Sequence, residues 1–72
     1  MQGIVLSVFA NGGCNAIICP TVYKSSDGRY FVQGYKVSKN IVDQARLADN
    51  EAIIEVDPQL ILNVAKQVSQ RV

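Results

Sequence analysis

Apolar and polar positions along the chain predict a short mixed fold. Residues 3–10 are apolar and rich in β-branched and aromatic types, which predicts a strand, although periodicity alone leaves a buried helix start open. Asn11-Gly12-Gly13 breaks the run with residues that tolerate positive φ. Residues 16–24 predict a second strand, and Pro20, which has no ladder donor, marks a bulge, an edge or a strand start within it. Ser25-Ser26-Asp27-Gly28 is the clearest turn, and residues 29–37 form the returning strand of a hairpin. A two-residue turn pairs Tyr23 with Val32, and a four-residue loop pairs Tyr23 with Tyr30. Both put Thr21, Tyr23, Tyr30, Val32 and Gly34 on one face, and Val22, Lys24, Phe31, Gln33, Tyr35 and Val37 on the other. Pattern leaves open which face is dry.

In the second half, Ser38 is placed to cap a short helix over residues 39–47, with Ile41, Val42, Ala45 and Leu47 as its apolar positions. Asp49-Asn50-Glu51 makes a polar turn, and residues 52–56 a short strand. Asp57-Pro58 is a strong helix start, a carboxylate at the cap and proline in the first turn. Leu60, Ile61, Val64, Ala65, Val68 and Val72 then recur at helical spacing. Lys66 and Arg71 lie toward the C-terminal end, where they complement the helix dipole. The expected fold is thus α+β: a small antiparallel sheet of about four strands, a short internal helical turn, and a C-terminal amphipathic helix packed on the sheet.

Composition narrows the function classes. The 72 residues are 49% apolar, which argues for a folded chain and for a single domain over residues 1–72. Ordering costs roughly 1.5 kcal/mol per residue, so a core this small gains from pairing with itself or with a partner. The chain has no His, so it holds no imidazole base, no Ser-His or Cys-His pair and no His ligand for zinc. It is also too short to enclose a typical substrate pocket with its own walls. Both facts argue against an enzyme, and no cofactor is implied. Each apolar run falls far short of the roughly 20 residues that span a bilayer, so no membrane partner is expected. Met1-Gln2-Gly3 carries no positive charge of the kind that opens a secretory signal, which favours the cytoplasm, where both cysteines would stay reduced.

Three features carry candidate chemistry. Net charge is only +1, but residues 24–39 hold Lys24, Arg29, Lys36 and Lys39 against Asp27 alone, interleaved with Tyr23, Tyr30, Phe31 and Tyr35. Positive charge holds phosphate and aromatic faces stack bases, so these four basic residues form a candidate nucleic-acid site, with DNA as the partner. The plainer reading makes the aromatics core and the basic residues a solvated rim guarding an edge strand. Cys14 and Cys19 make a candidate metal or redox pair. Zinc wants four Cys or His ligands, so one chain supplies half a site, and redox reactivity wants a nearby cation that the sequence does not place there. A bound zinc or a Cys14–Cys19 disulfide would support that reading; the plainer one makes Cys19 a small buried hydrophobe and Cys14 an incidental thiol. Gly12-Gly13 suits a backbone anion nest, but no phosphate-loop motif accompanies it. Tyr23, Tyr30 and Tyr35, with Leu60, Val64 and Val68 on the C-terminal stripe, are the candidate partner-interface residues, although the stripe also suits the chain's own sheet.

Two resemblances bear on these expectations. Cys19-Pro20-Thr21-Val22-Tyr23, Val32-Gln33-Gly34-Tyr35-Lys36-Val37 and residues 51–58 followed by Leu60 resemble a group of short, uncharacterised bacterial proteins. Those share a Cys-Pro-Thr-x-Tyr segment, a Val-Gln-Gly-aromatic segment and a last strand running into proline; the likeness implies a common small fold and no activity. Gly34-Tyr35-Lys36-Val37-Ser38-Lys39-Asn40-Ile41, with Leu47, Asn50-Glu51 and Ile53, is similar to the swapped-hairpin domain of AbrB and MazE type regulators, over about residues 28–56. Ser38, Asn50-Glu51 and Val42 stand where that family usually has Pro, a Gly-Asp turn and Arg. This second likeness implies an interlocked dimer that binds DNA, with Lys36 and Lys39 as the matching basic positions and Arg29 nearby. The reading that follows is a small non-enzymatic protein-interaction or regulatory module acting as a homodimer or through an unidentified protein. A swapped-hairpin DNA-binding regulator or antitoxin is one alternative, and a cysteine-based metal or redox protein the other.

Overall fold

The computed structural model describes residues 3–12 and 19–70. Gly13, Cys14, residues 16–18 of the expected second strand, Arg71 and Val72 lie outside them. Three strands, β1 (Leu6–Asn11), β2 (Thr21–Ser25) and β3 (Tyr30–Gln33), form an antiparallel sheet in the order β1-β2-β3. A six-residue helix α1 (Lys39–Gln44) and a thirteen-residue helix α2 (Pro58–Gln70) follow. The class is α+β, with three strands among the described residues where about four were expected.

The hairpin register differs from both registers considered above. Tyr23 pairs with Phe31 and Lys24 with Tyr30. Ser25 N–H donates to Arg29 O at 2.8 Å, closing a three-residue loop of Ser26, Asp27 and Gly28. Gly28 sits at φ +89°, the left-handed position that ends a three-residue hairpin loop and favours glycine. A three-residue loop shifts the pairing by one residue relative to either even loop. Tyr23 and Tyr30, expected on one face, therefore lie on opposite faces, as do Thr21 and Val32.

Ser25 anchors this turn. It is buried, accepts the Arg29 N–H at 2.9 Å and donates its hydroxyl to Asp27 Oδ1; Arg29 Nε donates to Asp27 Oδ2 at 2.8 Å. The Ser25 hydroxyl bond is the largest influence on the Asp27 carboxyl; with the charge and hydrogen bond of Arg29 it outweighs desolvation and holds the group below the usual carboxylate range. A depressed folded value means that the turn gains stability above the unfolded carboxyl's range and loses it as pH falls through the folded value. Asp27 is exposed, so salt weakens the Arg29 part. An NMR titration of the Asp27 carboxyl should give a midpoint below the usual aspartate range, and Ser25→Ala should move it back upward.

One face of the sheet carries α2. Ala10 pairs with Val22 and Val22 with Val32, and this row looks toward the helix. The buried apolar core is Phe9, Ala10, Val22 and Leu60, with Val56 and Val64 packed against it. Strand alternation would bury Phe9 or Ala10 but not both. A bulge between Val8 and Ala10 shifts the register at Phe9, and both side chains are buried. Tyr30 meets Phe9 edge-to-face, with centroids 5.2 Å apart. Asn63 Nδ2 on α2 donates to Asn11 O on β1 at 2.7 Å, fixing the helix along the sheet.

Residues 34–57 form an arm between the sheet and α2. In place of a fourth strand over residues 52–56 there is a single bridge, Tyr35 N–H to Glu55 O at 2.8 Å and Glu55 N–H to Tyr35 O at 2.9 Å. Pairing does not spread from it because β3 stops before Gly34, where the 54–56 backbone crosses closely. A Cβ at Gly34 would stand 2.5 Å from Glu55 O. α1 ends at Gln44, three residues short of the expected range, and the backbone turns extended at its C-cap Ala45. Ser38 holds the N-cap position without a side-chain cap bond. Among the described residues α1 packs on no strand or other helix. Its Val42 instead shares a shallow apolar hollow with Val37, Leu47, Ala52, Ile53 and Ile54.

Candidate interaction surface

Strand register decides what the helix-free sheet face presents, where Thr21 and Ser25 of β2 are buried and its β1 and β3 residues are exposed. Three rows cross it: Asn11-Thr21-Gln33, Val8-Tyr23-Phe31, and Leu6-Ser25-Arg29. The first is polar and knitted together: Tyr23 Oη donates to Gln33 Oε1 at 2.9 Å, and Gln33 Nε2 donates to Cys19 O at 3.2 Å. The middle row is apolar, with Val8 61% and Phe31 38% exposed. Leu6 and Ile4 extend it, and these two share a hollow with Phe31 and Arg29. Arg29, the charged side chain of the three rows, lies 5.2 Å from the centre of the Phe31 ring and is paired with Asp27. The face is therefore an apolar centre between a polar edge and a neutralised charge.

The candidate basic residues do not converge. Lys24 stands on the α2 side of the sheet, 5.8 Å from the Tyr30 ring centre, whereas Arg29 belongs to the opposite face. Lys39 lies on α1, with Nζ 2.7 Å from Asp43 Oδ2. Lys36 is exposed on the arm. Two of the four are thus bonded to carboxylates, and the four are spread over both faces and the arm.

The candidate interface residues separate too. Leu60 is 2% exposed and fills the space between α2 and the sheet, so it belongs to the chain's own core and offers no outward surface. The helical spacing that brings Leu60 and Val64 to one side of α2 is the spacing that packs them inward. Val68 is exposed, as are Ile61 and Leu62 beside it on α2. Tyr23 is half-buried within the uncovered sheet face, Tyr30 is exposed on the α2 side, and Tyr35 is exposed at the bridge to the arm.

Cys19 is disulfide-bonded, contrary to the expectation of a reduced thiol. The sequence contains one other cysteine, Cys14, which lies outside the described residues. A sulfur held in a disulfide is no thiolate ligand for a metal, and such bonds persist in oxidising compartments rather than in the cytosol. Among the described residues no group of three or more Cys, Asp or Glu is gathered to hold a metal ion. Among the same residues no helix is long and apolar enough to cross a membrane.

Leu6, Val8 and Phe31 are the members of this surface that the sequence reading missed. The signal was the five-residue stretch from Ser25 to Arg29 with glycine fourth, which suits a three-residue loop and fixes the parity of both faces. A comparison with protein families, curated proteins and solved structures finds no match for this chain.

Proposed function

We propose that the chain is a non-enzymatic interaction module that works as a homo-oligomer. The observation that carries this reading is its surface. A compact monomer of 7.9 kDa exposes about 4,400 Å². This chain exposes 5977 Å², an excess of roughly 1,500 Å². That excess is the size of one side of an obligate dimer interface. The radius of gyration agrees: 13.9 Å, against about 11 Å for a compact chain of this length. Light scattering coupled to size exclusion, at low and high salt, with and without duplex DNA, tests the reading. The expected species has at least twice the chain mass at both salt concentrations and ignores DNA. A stable monomer contradicts it. A DNA complex that forms only at low salt turns the reading to a DNA-binding regulator.

A second reading, a cysteine-based redox protein, draws on the disulfide at Cys19. Intact mass before and after reduction and alkylation tests it. That reading requires the bond to open at a reductant concentration that leaves the fold intact.

A further inference from the structure

Resting on the homo-oligomer reading, we infer that the occupant of the helix-free sheet face is a second copy of this chain, packed through the Val8-Tyr23-Phe31 row. The strands have two apolar faces; α2 packs on one of them over β1 and β2, leaving Tyr30 and Val32 of β3 exposed, and no described helix packs on the other. A sheet with an apolar face buries it against another layer, and the chain supplies no described element for this side.

Three observations favour a second copy over an unrelated protein. The face is self-complementary in charge: its Arg29 is neutralised by Asp27 within the same turn, so two copies facing each other bury no unpaired charge. Its layout is that of an interface centre and rim, with Val8, Tyr23, Phe31 and Leu6 between the polar Thr21-Gln33 edge and the Asp27-Arg29 turn. The excess surface matches one side of an obligate pair, and the buried apolar core is four residues among those described, so the covering layer has to be present whenever the chain folds. A second copy always is. The pairing is isologous about a two-fold axis, with the two sheets face to face about 10 Å apart.

The test compares the full chain with three variants by sedimentation velocity across a dilution series, with far-UV circular dichroism to follow the fold. Val8→Lys should yield a monomer or an unfolded chain; a side chain 61% exposed in one copy tolerates lysine unless another copy covers it. Val8→Thr keeps shape and strand preference and buries one hydroxyl per copy, so it should keep the fold and weaken self-association at least about tenfold. Ile61→Lys, at an exposed position of α2 on the other side of the sheet, should associate like the parent. Association unchanged by both Val8 substitutions overturns this assignment and leaves the homo-oligomer standing on another surface. Loss of association in Ile61→Lys alone moves the interface to α2. A monomeric parent chain overturns the homo-oligomer reading itself.

Discussion

Leu60→Ala should cost about 2–5 kcal/mol and leave the chain largely unfolded at 25 °C. Leu60 is the most buried side chain of the core and joins α2 to Phe9, Ala10 and Val22. Truncation removes transfer energy and opens a cavity that so small a core cannot refill by shifting neighbours. A domain of this size commands only about 3–5 kcal/mol from its core, so one such loss consumes most of it. Urea unfolding followed by circular dichroism, at one fixed chain concentration, measures the effect. Ile61→Ala is the control: Ile61 is next in sequence but 63% exposed, and its removal should change stability by no more than about 0.5 kcal/mol.

Gly34→Ala should detach the arm while the sheet persists. A Cβ there would lie 2.5 Å from Glu55 O, 2.8 Å from Ile54 Cδ1 and 3.0 Å from Val56 Cγ1. The two side chains can rotate, but the carbonyl is backbone and is held in the bridge to Tyr35, so the bridge has to yield. The overall cost should be about 1–3 kcal/mol. The local signature is sharper: the amides of Tyr35 and Glu55 should lose their protection from hydrogen exchange, while those bonded between β2 and β3 keep theirs. Gly3→Ala, with open space at its Cβ position, should leave both sets unchanged.

These two positions also show what the sequence disclosed. α2 was legible because two signals agreed: Pro58 in the first turn after Asp57, and Leu60 and Val64 one turn apart. The hairpin was legible from Asp27-Gly28. Its faces were not, because the loop length sets their parity and one residue reverses every assignment beyond the turn. The burial of both Phe9 and Ala10 was hidden for a related reason, since a bulge breaks the alternation from which burial is read. The expected fourth strand reduced to the Tyr35–Glu55 bridge, a tertiary meeting that no local preference announces. The candidate surface was illegible for a further reason. A strand that is apolar on both faces reads the same whether a helix or another copy of the chain covers its second face.

Urea unfolding at two chain concentrations a hundredfold apart tests most directly whether this surface belongs to an assembly. If folding and self-association are one event, the unfolding midpoint rises with concentration. A midpoint that does not move, with the folded species at the 7.9 kDa of a single chain, would contradict the account.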